Sequence, residues 1–379
     1  MLQIVDLGIV TTSVPNTAHQ SKCFPFICVL RDGTWLCSFR SGPLKTGLAQ
    51  QPMLMRSTDD GRTWSPPTSP FVAPSLDGVP GVPGVFHSAA VTPLADGSLI
   101  TVVCWVDCSD PSLPWYNAQT EGLLDTRIML SSSEDAGRTW SKPQWVDVGP
   151  FATTPAPYTG AMLVMPDGRW ACQFETNNNY DDTGPWKQAA VLTFSADQGT
   201  TWPDQVVVLQ DPDHRVYYWD QRPTVLADGT VLDLFWVYDH QSASYRNIHA
   251  VRSTDGGRTW SPPWDTRVPG QPGPAASLPD GRLVMAYVDR TGPCTISARV
   301  SDDGGHTWPD ATRLDLFKPT SYADNINMQS DTSEAWAHMD AFAFGLPDTA
   351  VTGDGDVLVV YYAGPHADQT DICWVRLRI

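Results

Sequence analysis

The chain of 379 residues carries a formal net charge of −18 at pH 7, and only 17% of its residues are charged. An acidic chain without a cluster of basic residues is not expected to bind nucleic acids or anionic membranes. Glycine and proline, with 29 and 33 residues, favour many short strands joined by tight turns. The N-terminal segment MLQIVDLGIV has neither a basic region nor a long apolar core, so we expect a cytoplasmic protein.

Six Asp-Gly dipeptides, each between two apolar runs, are spaced along the chain. Runs such as ICVLRDGTWLCSF and AMLVMPDGRWACQF are typical of β-hairpins, because aspartate and glycine suit the tight turn between two strands. The aspartates of these turns are Asp32, Asp96, Asp167, Asp228, Asp280 and Asp354. The sequence therefore predicts six hairpins.

An eight-residue pattern, SxDxGxTW, is interleaved with the hairpins and occurs five times. It covers residues 57–64, 133–140, 195–202, 253–260 and 301–308. Its aspartate can accept backbone hydrogen bonds inside a turn, its glycine allows a positive φ, and its tryptophan can pack the turn onto a neighbour. We interpret these segments as structural turns whose aspartates are not catalytic.

Each hairpin is followed by a third apolar run, and in five units the eight-residue turn and a short fourth strand complete a sheet. The sixth unit lacks the turn, so we expect the N-terminal segment to supply its missing strand. The predicted fold is all-β: one six-bladed β-propeller of four-stranded antiparallel sheets, spanning residues 1–379 and closed by the N-terminal strand. The expected blades cover residues 16–70, 80–148, 152–208, 216–264, 268–314, and 340–379 together with 1–12.

The repeated turns, known as Asp boxes, together with the six hairpins resemble the sialidase superfamily over nearly the whole chain. The resemblance implies a six-bladed propeller that acts on a carbohydrate from its central axis. One propeller fold hosts hydrolases, lyases and binding proteins, so the fold alone does not define the reaction.

Two features of sialidases have no counterpart in this sequence. The Arg-Ile-Pro triplet before the first strand, which supplies the first of three arginines that clamp a sugar carboxylate, corresponds to Cys23, Phe24 and Pro25. Residues 41–54, where the resemblance would place the acid aspartate, contain no carboxylate. Arg246 does resemble a second clamp arginine, but no arginine lies where the third is expected. We therefore predict a sialidase-like fold without ordinary sialidase activity.

Both kinds of turn join strands at one end of the predicted ring. The opposite end receives the long, polar connections, and strand ends nearest the axis there should form the site. The candidate catalytic residues are Glu175, Asp239, His87 and His240. The candidate substrate-binding residues are Arg40, Trp105, Asp107, Tyr158, Asp220, Arg222, Arg246, Asp289 and Arg290, and the entrance to the sixth unit could add His338 and Asp340.

The leading hypothesis is a glycoside hydrolase that removes a terminal sugar from an oligosaccharide or glycoside. Glu175 and Asp239 are the leading pair, because such enzymes use one carboxyl as acid and another as base or nucleophile. The arginines would orient hydroxyls or an anionic substituent, and Trp105 and Tyr158 would offer flat faces to a sugar ring.

Two alternatives remain open. In a polysaccharide lyase, His87, His240 or Tyr158 would remove the proton next to a uronate carboxylate. A non-catalytic module would bind a glycan or a protein on the same face. No metal or nucleotide motif stands out, so no cofactor is expected, and nothing in the sequence indicates an oligomeric state.

Overall fold

The structure is a computed structural model that describes residues 1–76, 82–291, 293–319 and 341–379. The described strands form six separate antiparallel sheets, which are the blades of a propeller. Two short 3₁₀ helices accompany them, Gly149–Phe151 and Asp310–Thr312. The candidates His338 and Asp340 lie outside the described residues.

The strands follow one another in chain order from blade to blade. The first strand is β1 (Gln3–Thr11). Blade 1 contains β2 (Ser21–Val29), β3 (Trp35–Gly42) and β4 (Gln51–Ser57). Blade 2 contains β5 (Gly84–Pro93), β6 (Leu99–Asp107), β7 (Thr126–Ser133) and β8 (Gln144–Trp145). Blade 3 contains β9 (Leu163–Val164), β10 (Trp170–Glu175), β11 (Ala190–Ser195) and β12 (Asp204–Leu209).

The second half of the chain forms three further blades. Blade 4 contains β13 (Val216–Trp219), β14 (Thr224–Val225), β15 (Val231–Asp239), β16 (Ser244–Tyr245), β17 (Asn247–Ser253) and β18 (Trp264–Pro269). Blade 5 contains β19 (Gln271–Ser277), β20 (Leu283–Asp289), β21 (Thr295–Ser301) and β22 (Leu314–Phe317). Blade 6 contains β23 (Phe344–Val351), β24 (Val357–His366) and β25 (Gln369–Arg378).

The ring is closed by the N-terminal strand, as the sequence predicts. β1 pairs with β25 and is the outermost strand of blade 6. Leu2 packs in the apolar cluster between blades 5 and 6, and Val10 packs in the cluster between blades 6 and 1. Blade 1 has three strands, and a single bridge between Leu54 and Thr68 stands where its fourth strand would pair.

The SxDxGxTW turns share one set of hydrogen bonds. In the second of them, the hydroxyl of Ser133 donates to Asp135 over 2.9 Å and accepts the amide of Gly137 over 2.8 Å. Asp135 also accepts the amide and hydroxyl of Thr139, and the indole of Trp140 donates to the carbonyl of Gly137. These aspartates are therefore occupied inside their turns, which agrees with a structural role.

The innermost strands carry a bulge at one level of the ring. In blade 1 two residues, Phe24 and Pro25, face a single residue of β3, and the same two-to-one mismatch occurs in β5, β19 and β23. In blade 4 the chain leaves the sheet between Trp219 and Thr224. A proline lacks the N–H that a ladder needs, so Pro25 and Pro223 suit these interruptions. Bulges re-aim side chains out of the regular alternation of a strand.

Candidate functional site

Hydrogen bonds at the bulge level connect neighbouring blades around the axis. Arg40 donates to the carbonyl of His87, and the amide of Gln221 donates to Glu175. Gln271 donates to Asp220, and Arg290 donates to the carbonyl of Phe344. These groups come from all six blades and form one hub, which we call the axial site. Closer to the turns, Thr92 donates to the carbonyl of Met162, and the amide of Ile27 donates to Asp348.

Glu175, Asp220 and Arg222 form the acidic side of the axial site, between blades 3 and 4. Glu175 ends β10, is buried, and accepts the amide of Gln221 over 3.1 Å. Asp220 stands at the break in blade 4 with a φ of 50°, and its side chain is 22% exposed. The guanidinium of Arg222 lies 3.6 Å from Asp220 and donates to the carbonyl of Thr159.

The environment of Glu175 favours its protonated form. Burial raises the pKa of Glu175 well above its usual range, and the neighbouring charge of Asp220 raises it further. The amide of Gln221 and the charge of Arg222 oppose this shift without cancelling it. A neutral carboxyl beside a second, more exposed carboxyl can donate a proton at neutral pH.

The basic side of the axial site is formed by Arg40 and Arg290, both buried. Arg40 lies over the ring of Phe24, with its guanidinium carbon 4.3 Å from the ring centre. Arg290 lies 3.9 Å above the ring of Phe342 and donates to Gln271 over 2.8 Å. The described hydrogen bonds of these two guanidinium groups go to backbone carbonyls and an amide side chain. A hydroxyl or an anionic group of a ligand would suit them.

His87 and Tyr158 also belong to the axial site. His87 is fully buried, with the backbone of Gly47 beside its ring. Burial and the charge of Arg40 hold the pKa of His87 well below its usual range, which keeps the imidazole neutral. Burial also raises the pKa of Tyr158, and its ring lies 6.1 Å from that of Phe26.

Asp239, His240 and Arg246 lie together at the outer end of β15, apart from the pair of Glu175 and Asp220. Asp239 accepts the amides of Gln241 and Ser242 and forms an ion pair with Arg246, whose side chain is 48% exposed. Burial raises the pKa of Asp239, but the hydrogen bonds from Arg246 and Ser242 outweigh it and the net shift is downward. His240 is exposed. The described contacts of Asp239 do not include Glu175.

Two further candidates, Asp107 and Asp289, form hydrogen bonds within local turns. Asp107 accepts the amide and hydroxyl of Ser109 and closes a turn. Asp289 does the same for Thr291, with Arg313 3.8 Å away.

The prediction of a sugar-stacking face at Trp105 is wrong. Its side chain is fully buried in the cluster between blades 1 and 2, and its indole donates to the carbonyl of Pro74. A β-carbon on Gly84 would lie 1.6 Å from the indole nitrogen, so the glycine makes room for it. A ring enclosed in this way has no face for a ligand.

Sequence reasoning missed two carboxyls near Arg222, one of them buried and the other half-buried. Asp233 lies in the middle of β15 and is fully buried, with the backbone amides of Arg222 and Leu234 beside its carboxyl. Asp348 lies at the bulge of β23 and accepts the amide of Ile27 over 2.8 Å. A single acid inside an apolar run such as VLDLFWV was the available signal for Asp233.

A cavity of about 430 Å³ lies on the axis between the bulge level and the Asp-Gly turns. The innermost strands of all six blades line it, and Arg222, Gln173 and Asp348 lie at its inner end. The exposed Val164 belongs to its outer rim, so the cavity opens at the end that carries the turns. Arg222 therefore contacts both the axial site and this cavity.

Within the described parts of the chain, His, Cys, Asp and Glu side chains do not come together in threes in a way that could hold a metal ion. The same residues include no helix with the length and apolar character that a membrane span requires.

Comparisons with known proteins relate the chain to propellers. The profile of the BNR repeat-like domain family matches residues 106–359. A protein of unknown function from Dyadobacter fermentans is 20% identical, with a TM-score of 0.75 over 100% of this chain and 99% of its own. The intramolecular trans-sialidase of Ruminococcus gnavus is 13% identical, with a TM-score of 0.65 over 96% of each chain.

A third similar structure is the alpha-L-arabinanase of Penicillium chrysogenum, solved with arabinobiose. It is 15% identical, with a TM-score of 0.63 over 99% of this chain and 98% of its own. No curated protein sequence matches the chain significantly. Identities this low show a shared fold.

Proposed function

Because this chain belongs to the family of BNR repeat-like domains, we propose that it is a glycoside hydrolase that cleaves a terminal sugar bound in the axial site. The observation that carries the proposal is the coupled pair of Glu175 and Asp220. One carboxyl is buried and held in its protonated form, while the other is partly exposed beside Arg222. When one of two neighbouring carboxyls is held in its protonated form and the other is more exposed, the first can act as the acid and the second as the base or nucleophile.

In this proposal Glu175 donates its proton to the leaving oxygen of the glycosidic bond. Asp220, instead of Asp239, is the partner carboxylate, because Asp239 is engaged by Arg246 and by two backbone amides. Asp220 acts on the anomeric carbon directly or through a water molecule. The left-handed backbone at Asp220 is the kind of strained conformation that clusters at functional sites.

The remaining axial groups would hold the sugar. Arg40 and Arg290 lie on the basic side and would grip hydroxyls or an anionic substituent. His87 is neutral and fully enclosed, so it supports the site through its carbonyl, which accepts a hydrogen bond from Arg40.

Variants of the two carboxyls test the proposal on a panel of aryl glycosides. We expect Glu175→Gln and Asp220→Asn to lower kcat by about 10² to 10⁴-fold. Glu175→Gln should lose least with a dinitrophenyl leaving group, which needs little protonation, whereas Asp220→Asn should lose about equally with every leaving group. Asp107→Asn is the matched control, because Asp107 closes a turn outside the axial site. Full activity of both axial variants would refute the proposed roles.

The expectation that ordinary sialidase activity is absent has its own assay. The axial site has Cys23 where a sialidase would have its first clamp arginine. We expect no sialic acid release from an aryl sialoside. Release that Arg246→Ala abolishes would contradict this expectation.

The second candidate function is a polysaccharide lyase. It is favoured by one observation, the neutral imidazole of His87, which would have to become accessible to the substrate in order to accept a proton. A lyase would form an unsaturated uronate that absorbs in the ultraviolet, and His87→Gln would abolish it. A hydrolase forms no such product.

A further inference from the structure

Gln271 connects the acidic side of the axial site to its basic side. It is the first residue of β19, it is buried, and its side-chain amide has a partner at each end. The amide nitrogen donates to Asp220 of blade 4, and the amide oxygen accepts a hydrogen bond from Arg290 over 2.8 Å. Arg290 in turn donates to the carbonyl of Phe344 over 3.1 Å, so this end of the connection is anchored on blade 6.

The two partners fix the direction in which the amide of Gln271 points. A guanidinium only donates hydrogen bonds, so Arg290 requires the amide oxygen. The NH₂ group must then face Asp220, and because it only donates, it favours the ionised form of that carboxyl. The reverse orientation would bring two donors together at Arg290 and two acceptors together at Asp220. The amide is therefore held in one orientation by the charges at its two ends.

We propose that Gln271 is a positioning residue for the candidate active site: its fixed amide keeps Asp220 ionised and holds it in register with Arg290. The proposal rests on the proposed function for its catalytic meaning. Arg222 lies 3.6 Å from the other carboxyl oxygen of Asp220. Blade 5 therefore supplies the direct hydrogen bond to Asp220, and the arginine of its own blade supplies a nearby charge.

The backbone before Gln271 brings the start of β19 close to β20. Gly270 has a φ of 104°, and a β-carbon there would lie 1.9 Å from the carbonyl oxygen of Val288. Glycine tolerates both the positive φ and the close approach. Gln271 is then paired with Val288 at the end of the sheet from which its side chain reaches blade 4.

The titratable groups around Asp220 decide how its ionisation can be measured. They are Glu175, Arg222, Arg290, Tyr245 and Tyr362. The arginines stay charged, and burial raises the pKa of both tyrosines, so these four groups keep their charge near neutral pH. In the proposed reaction, loss of activity towards low pH therefore follows the protonation of Asp220, and loss towards high pH follows the ionisation of Glu175.

The kinetic test uses the whole chain and an aryl glycoside. Gln271→Met keeps the length of the side chain but removes both hydrogen bonds. We expect kcat to fall by about 10 to 10²-fold with little change in KM, because Asp220 is no longer held in place. The low-pH limb of kcat/KM should move up by about one pH unit, because the ionised carboxylate has lost its donor. Gln271→Glu keeps an oxygen for Arg290 but brings a like charge to Asp220, so its shift should be larger.

Gln188→Met is the matched control. Gln188 is also buried and also makes two hydrogen bonds through its amide, but both join it to the backbone of Tyr218. This variant should lose stability as Gln271→Met does, whereas its pH profile should match that of the wild type. A shift of the same size in both methionine variants would overturn the role of Gln271.

A second measurement needs no substrate. In protein labelled with ¹⁵N in its glutamine side chains, the resonance that is missing from Gln271→Met belongs to Gln271. Gln271→Glu lacks the same NH₂ group and gives the assignment if Gln271→Met does not fold. We expect Asp220→Asn to move this resonance. Asp239→Asn should leave it in place, because Asp239 is bonded to Arg246 and to amides of its own turn.

The two measurements separate the two conclusions. A Gln271 resonance that does not respond to Asp220→Asn would overturn the proposal, whether or not the protein hydrolyses a glycoside. Folded Gln271→Met with normal kcat and an unchanged pH profile would overturn only the role of Gln271. A resonance that responds as expected, in a protein that hydrolyses none of the glycosides, would support the hydrogen bond and overturn the proposed function.

Discussion

Replacing Asp233 by asparagine removes a fully buried carboxyl. Burial raises the pKa of Asp233 well above its ordinary value. The folded chain therefore keeps a proton that the unfolded chain loses above about pH 4. Below that pH both states are protonated, so the group adds no pH dependence to stability.

The sign of the effect follows from this difference. As pH rises, the wild-type free energy of unfolding falls by about 1.4 kcal/mol for each pH unit over which only the folded state holds the proton. Asparagine does not titrate, so Asp233→Asn should gain stability relative to the wild type with the same slope. Glu175 has a raised pKa as well. The comparison is therefore made in a Glu175→Gln background, which leaves Asp233 as the variable group.

The assay is urea unfolding at pH 4, 5, 6 and 7. Asp96→Asn provides a control of opposite sign. Asp96 is exposed and accepts the amide and hydroxyl of Ser98, which lowers its pKa, so this variant should lose stability relative to the wild type as pH rises to about 5 and change little from there to pH 7. A difference between Asp233→Asn and its background that stays constant from pH 4 to 7 would refute the reasoning.

Two further predictions concern the stability of the fold, one through hydrogen bonds in a turn and one through core packing. Ser133→Ala removes a buried hydroxyl that makes two hydrogen bonds in its turn, and it should lower the free energy of unfolding by about 1–3 kcal/mol. Ser132→Ala, in which an exposed hydroxyl is removed, is its control. Trp105→Ala should cost about 3–5 kcal/mol in the same denaturation assay while the folded fraction keeps its affinity for any glycan ligand. A loss of affinity without a loss of stability would restore Trp105 as a binding residue.

The fold could be predicted because its signals are local. Each turn is specified by a few residues that bond to one another, as Ser133, Asp135 and Gly137 do, and repetition then gives the number of blades. Ring closure followed from counting strands, because the sixth unit lacked one and the N-terminal segment had no partner. Neither inference required the orientation of a single side chain.

The site could be predicted only in part because it depends on side-chain direction. Neighbouring residues of a strand face opposite sides. An error of one position therefore moves a predicted residue from the axial site into the interface between two blades. Trp105 faces the cluster between blades 1 and 2, whereas Cys104 and Val106 on either side face the cluster between blades 2 and 3. Asp220, the proposed partner of Glu175, stands at a break in blade 4 that a strand pattern does not reveal.

The interruptions of the innermost strands separate the residues near the ring centre from the residues whose regular pairing holds the blade together. Beyond its bulge, each strand resumes regular pairing, as β2 does from Phe26 onward and β23 from Asp348 onward. Substitutions on the axial side can therefore change the chemistry of the ring centre while the pairing towards the turns keeps the blades in place. A protein built in this way can acquire new substrates through small changes around one circle of residues.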